Sequence, residues 1–289
     1  MFMKKATIMI GITILMLMGI LSVLSYLSIK NKFLIKSAPL SLPTPLPSPI
    51  PSPTPTPSPL TFAQMQSLYG PCAYVPTLMY HHIQNMDRAQ AENHASLTVS
   101  PDNFRGHLQY LSDRGYNFIS MQNLADFFDG GTGLPAKPIL LTFDDGYKDF
   151  VTDALPILKE FGAKATVFTP TGLLENPGYM TWNDANDANI SGVLVANHTW
   201  SHKNVGAAND EVTHEITTAD TQLKDHNLNN PKVFSYPYGL ESNFAINLIK
   251  NMDYKLAFTT KPGSILCKQL RLELPRIRIG NTNISAYGF

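Results

Sequence analysis

An excess of charge of either sign is missing from this chain. Its 289 residues carry 22 lysines and arginines against 22 aspartates and glutamates, a formal net charge of zero. Nothing therefore suggests a nucleic-acid partner, and a neutral or weakly charged substrate is the easier fit. Cysteine is nearly absent as well. The two that exist, Cys72 and Cys267, form no C-x-x-C pattern, which argues against a zinc–cysteine cluster or a dithiol redox site. No internal repeat is visible.

The first segment lacks charge altogether. Lys4 and Lys5 precede "ATIMIGITILMLMGILSVLSYLSI", Ala6 to Ile29. As a helix rising about 1.5 Å per residue it would span a bilayer interior of roughly 30 Å with some tilt. It is longer than the apolar region of a usual signal peptide, and no clear A-x-A cleavage site follows, which favours an uncleaved anchor over a cleaved signal. Lys30, Lys32 and Lys36 on the far side blur the orientation that loop charge would set. "PLSLPTPLPSPIPSPTPTPSPL", Pro39 to Leu60, then holds ten of the 22 prolines. It cannot build a core and reads as an extended spacer, about 70 Å long at about 3.1 Å per residue. The expected layout is a membrane anchor or signal segment over 1–36, a proline-rich linker over 37–68 and one folded catalytic domain over 69–289. In an exported domain the pair Cys72 and Cys267 reads as a disulfide tying the domain's start to a segment near its end.

Within the domain, apolar β-branched runs alternate with amphipathic segments. Strands are expected at 74–80, 138–143, 164–169, 192–197, 232–236, 255–260 and 275–279, several of them continuously apolar as strands buried on both faces are. Helices are expected at 100–115, with Ser100 as N-cap and Pro101 in the first turn, and at 121–128, 148–161, 182–189, 210–228 and 242–251. This alternation predicts an α/β fold, a distorted (β/α) barrel of about seven parallel strands, whose functional groups belong at the strands' C-terminal ends.

The polar residues obey that rule. "DDG" (Asp144, Asp145, Gly146) follows "PILLTF"; His198 and His202 in "NHTWSH" follow "GVLVAN"; His81 and His82 follow "VPTLMY"; the "YPYG" turn, Tyr236 to Gly239, follows "KVF". Two adjacent carboxylates repel, which is tolerable in a surface turn or where something positive holds the pair. A carboxylate and two imidazoles offer three ligands of the kind found at catalytic zinc, with one position left for water. A cation there would bind one aspartate and leave the other free as a base. His81 and His82 are neighbours on a strand, so only one of them should enter the site. His94, His107, His214 and His226 read as structural or solvent-facing.

"TFDDG", "HTWSH", "YPYG" and "LMYHHI" together resemble the polysaccharide deacetylases, or NodB-homology domain, over about residues 75 to 279. More closely they resemble the branch in which the histidine-bearing strand comes before the aspartate strand. The resemblance implies that Asp145, His198 and His202 hold a divalent metal, usually zinc. It makes Asp144 the general base, His81 the acid for the departing amine and the Tyr238 backbone N–H an oxyanion donor. Trp182, Tyr236 and Pro237 would line the substrate groove. Two departures stand out: Ser235 occupies the position where many members carry an arginine that steadies the catalytic aspartate, and Asn183 follows the tryptophan where aspartate is frequent. Arg276 or Arg278, from "LPRIRI", could take that arginine's place, with Arg276 the first choice. The expected protein is a monomer on a bacterial membrane, single-pass with its domain outside the cell (secreted if the first segment is cleaved), removing acetyl groups from an N-acetylglucosamine polymer. An idle carbohydrate-binding domain of the same fold, an acetyl-ester hydrolase and a small-amide hydrolase are the alternatives.

Overall fold

The computed structural model describes residues 60–289. The expected membrane segment and most of the proline-rich stretch lie outside the described residues. Among the described residues no helix is long and apolar enough to cross a membrane.

Seven strands form a closed parallel barrel: β1 (Thr77–Tyr80), β2 (Pro138–Phe143), β3 (Thr166–Thr169), β4 (Leu194–Asn197), β5 (Val233–Ser235), β6 (Leu256–Pro262) and β7 (Leu274–Arg278). Each pairs with the next in chain order, and β7 returns to β1 through Ile277 opposite Leu78 and Arg278 opposite Met79. The barrel is irregular: the β6–β7 register shifts between Phe258 and Pro262, and β4 meets β5 only at Asn197 opposite Phe234.

The outer layer contains α1 (Pro101–Asp113), α2 (Met121–Phe128), α3 (Leu155–Glu160), α4 (Trp182–Ile190), α5 (Asp210–Asp225) and α6 (Asn243–Asn251). Their starts follow local chemistry. The hydroxyls of Ser100, Thr181 and Ser242 each accept from the third following N–H and satisfy a donor the helix cannot. The helix expected over 148–161 is only partly regular. A wide π-turn runs from Phe150 to Ala154, with the Leu155 N–H donating to Phe150 O, before α3 begins. Pro156 explains this: it has no N–H to continue the i→i−4 ladder.

Side-chain alternation along the strands splits the core in two. Leu140, Phe168, Ala196, Phe258 and Leu274 belong to one buried cluster, while Leu141, Phe143, Val167 and Val195 pack in another with residues of α1, α3 and α4. Two parts were not expected from the sequence. A helix, Phe62–Tyr69, starts the folded chain earlier than residue 69, and Gln66 accepts the Cys72 N–H at 2.8 Å. An antiparallel pair, Cys72–Tyr74 with Ile265–Cys267, brings the two cysteines opposite each other in a disulfide.

Candidate active site

The barrel rim gathers most of the polar residues named above. Asp144 and Asp145 leave the end of β2, and Gly146 behind them turns at φ 65°, where a Cβ would lie 2.8 Å from Thr169 Cγ2. Asp145, Thr199, His202 and Tyr238 also hold positive φ, a conformation that non-glycine residues keep only when their surroundings enforce it. These four form part of the same rim.

The two aspartates face different partners. Arg276, fully buried in the barrel, grips Asp144 with both terminal nitrogens, Nη1 to Oδ1 and Nη2 to Oδ2, each at 2.7 Å. Burial alone would raise the Asp144 carboxyl, yet the charge and hydrogen bonds of Arg276 hold it below the usual carboxylate range. Asp145 Oδ1 instead lies 3.4 Å from His198 Nε2 and 3.1 Å from His202 Nε2. Burial opposes ionisation here too, but the two imidazoles draw the Asp145 carboxyl well below its ordinary value.

The donors of Asp145, His198 and His202 all lie within 4.8 Å of one another. His198 Nδ1 sits 2.7 Å from the Ser235 carbonyl oxygen, which can only accept; Nδ1 therefore carries a proton, and Nε2 is the nitrogen turned towards Asp145. An ion among these donors would be bound through that Nε2. The donor set fits a divalent ion with tetrahedral N/O preference.

His81 stands in the field of both aspartates, and among the described residues no hydrogen bond holds its ring. Burial lowers it below the ordinary imidazole value, partly opposed by the charges of Asp144 and Asp145. His82 turns the other way, with Nδ1 2.6 Å from Asp149 Oδ2. Tyr238 is 62% exposed and packs edge-on to His202 at 4.8 Å.

Of the three expected groove residues, Tyr236 and Trp182 pack away from the aspartates, and Pro237 is buried in the turn before Tyr238. Tyr236 and Pro237 are buried; Tyr236 packs beside Phe234 in the outer core and its hydroxyl donates to Leu272 O at 2.9 Å. Alternation dictates this, since Ser235 between them is the residue that reaches Arg276. Trp182 packs on the core and stacks on His226 at 4.0 Å rather than joining the aspartates. Asn183 is exposed; Asp184 caps α4 and pairs with Lys148 instead.

Two residues at the site escaped the sequence reading. Glu215 is buried under the loop between the metal-facing histidines, accepting from Trp200 N, Ser201 N and Ser201 Oγ at 3.1, 2.8 and 2.6 Å. Its signal was a carboxylate inside the apolar stripe Val212, Ile216, Ala219 and Leu223 of α5. Tyr147 was hidden in the "DDGY" run; burial, followed by the charge of nearby Asp145, raises its phenol above the ordinary value.

Fold and site together define a class: a parallel barrel whose strand ends bring one carboxylate and two imidazoles close enough to share an ion, beside a second carboxylate held by an arginine. Residues 132–257 match the family described as Polysaccharide deacetylase. YxkH of Bacillus subtilis is 27% identical over 218 residues, covering 75% of each chain. The poly-beta-1,6-N-acetyl-D-glucosamine N-deacetylase of Escherichia coli is 26% identical over 249 residues, 71% of this chain but only 36% of that protein's length. Among solved structures, the Streptococcus pyogenes deacetylase PplD in complex with acetate superposes with a TM-score of 0.65 at 33% identity, covering 71% of this chain and 92% of that one. The chain belongs to the polysaccharide deacetylase family, and it is a hydrolase of the amide-cleaving kind that family comprises.

Proposed function

We propose that this protein removes N-acetyl groups from a poly-N-acetylglucosamine chain outside a bacterial membrane, releasing acetate. The observation that carries the reading is the division of labour between adjacent carboxylates: Asp144 locked to Arg276, Asp145 turned to two imidazole Nε2 atoms. Kinship with a deacetylase solved with acetate supports it. The relative named for poly-beta-1,6-N-acetyl-D-glucosamine supports the choice of polymer.

Asp145, His198 and His202 would hold the ion, zinc in our reading, which supplies Lewis-acid activation of water and of the acetamide carbonyl. Asp144 takes the proton from the attacking water on its carboxylate, kept ionised and oriented by Arg276. His81 delivers a proton to the leaving nitrogen. The Tyr238 N–H, at a backbone turn held at φ 62°, is aimed at the carbonyl oxygen as negative charge grows there. Water and amide become acetate and a free amine, with no other reactant. The uncharged segment Ala6–Ile29, the proline-rich spacer and the disulfide support an anchored domain outside the cell.

The test is acetate release by the full-length protein from β-1,6-linked N-acetylglucosamine oligomers, with and without a chelator. Release should stop with chelator, return on adding zinc, and be lost in Asp145→Asn. Chelator-insensitive release would overturn the metal assignment, and no release from any oligomer would overturn the activity.

A further inference from the structure

A cavity of about 570 Å³ opens beside Tyr147, Lys148 and Asp149, just after the aspartate pair in the chain, and plays no part in the mechanism above. That volume lies within the roughly 300–1,000 Å³ of ligand pockets. His82, Gln84, Arg88, His94, Tyr147 and Tyr179 line it.

Its polar groups are incompletely used. Gln84 is 2% exposed, yet neither its amide nitrogen nor its amide oxygen has a hydrogen-bond partner. His82 is 4% exposed; Asp149 holds its Nδ1, while Nε2 has none. His94 stacks on His82 at 4.6 Å; its Nδ1 makes no hydrogen bond, its nearest charged group being Glu92 Oε2 at 3.8 Å. Buried polar groups are almost always satisfied in native proteins, so a cluster of unsatisfied ones beside a cavity points to an occupant that completes them. A carboxamide offers a donor and an acceptor side by side, the complement of an acetamido group or of a pair of sugar hydroxyls.

Charge narrows the occupant further. Arg88 pairs with Glu92 at 3.0 Å, Lys148 with Asp184 at 2.6 Å and Asp149 with His82 at 2.6 Å. Every charge at the wall is thus answered by the protein, which disfavours a phosphate, an acidic sugar or a polyamine. Tyr147 and Tyr179, with centroids 5.4 Å apart, add aromatic wall. Tyr147 also fixes the cavity's place, because it follows Asp145 by two residues and its ring stacks on His82 at 3.7 Å. The cavity therefore borders the segment that carries the aspartates.

We propose that this cavity is a subsite for one neutral, N-acetylated sugar unit of the same polymer, held next to the unit whose acetamide is cut, with Gln84 reading its polar groups. The proposal rests on the deacetylase reading for its polymer but not for its binding.

Two measurements on the full-length protein separate the two. The first compares kcat/KM for acetate release from the N-acetylglucosamine pentamer and dimer. Gln84→Met, which keeps the side chain's length but removes both hydrogen-bonding groups, should shrink the pentamer-to-dimer ratio by about ten-fold. The second is calorimetric binding of the pentamer in an Asp144→Asn background, where Gln84→Met should weaken binding by a similar factor. Gln84→Glu checks the charge argument: a negative group in a neutral site should weaken binding at least as much. Melting temperatures identify any variant that fails to fold, and a folded Gln84→Glu protein then decides in place of a misfolded Gln84→Met. An unchanged ratio together with unchanged pentamer binding in a folded variant overturns the subsite. Should no oligomer be cleaved, the deacetylase reading falls, and binding alone decides: loss in Gln84→Met upholds the subsite, no loss overturns it.

Discussion

Arg276 has no idle donor. Nε bonds Thr259 O, Nη1 bonds Thr142 Oγ1 and Asp144, and Nη2 bonds Asp144 and Ser235 Oγ. That accounts for all five N–H groups of a guanidinium, the condition for burying one in a barrel. The arrangement also explains Ser235: a short hydroxyl leaves room for a side chain arriving from β7 and accepts one of its donors. This exchange was legible in the sequence as a missing arginine and a spare one, because charge in an otherwise apolar strand demands a partner. Glu215 and Gln84 were far less legible, since what they do depends on which loop folds over them. Removing Arg276 strands the Asp144 charge in the barrel. Arg276→Met should lower stability by about 3–5 kcal/mol and kcat/KM at least a hundred-fold, read by denaturant melts and acetate release. Adding Asp144→Asn should restore most of the stability and none of the activity. If Arg276→Met alone keeps full activity, the arginine does not steady the base.

At the scale of elements, the seven barrel strands could be read because burial on both faces leaves uninterrupted apolar runs. The pieces that could not be read are too short to show a period. They are the three-residue strands carrying the cysteines, the two-residue pair His82–Ile83 with Thr98–Val99, and the six-residue helix Met86–Ala91. The last three lie around the cavity that Gln84 lines. Helix α1 carries a different kind of hidden information. His107 Nε2 lies 2.6 Å from Thr282 O and must donate to it, while Nδ1, 3.2 Å from the Tyr80 hydroxyl, accepts. Both bonds need a neutral ring, and burial lowers His107 below its ordinary value. The unfolded chain binds the proton first as pH falls. The stabilisation is therefore complete above about 6.5 and is lost progressively as pH drops from there towards the depressed folded value. His107→Gln can make both bonds without titrating. Its unfolding free energy should decline less than that of the unaltered protein between pH 7 and pH 5. Parallel curves would mean His107 stays uncharged in the unfolded chain or already charged in the fold.

For the molecule as a whole, one covalent link ties the start of the folded chain to a segment near its end. The Cys72–Cys267 disulfide spans 195 residues and so encloses nearly the entire barrel. A loop that long strongly restricts the unfolded chain, and loss of the bond should cost about 2–5 kcal/mol. For a folded unit of this size that corresponds to a fall in melting temperature of roughly 5–20 °C. Catalysis at low temperature should hardly change, because Cys72 precedes the start of β1 while His81 follows its end. Full-length Cys72→Ser/Cys267→Ser protein should therefore melt earlier yet release acetate at an unaltered rate at 20 °C. The same bond bears on where the domain works, since it persists only in an oxidising compartment. Thiol titration of protein recovered from its native cells should find no free cysteine. Two free thiols in that material, with a melting temperature equal to the double-serine variant's, would place the domain on the reducing side and remove the export proposal while leaving the chemistry of the rim intact.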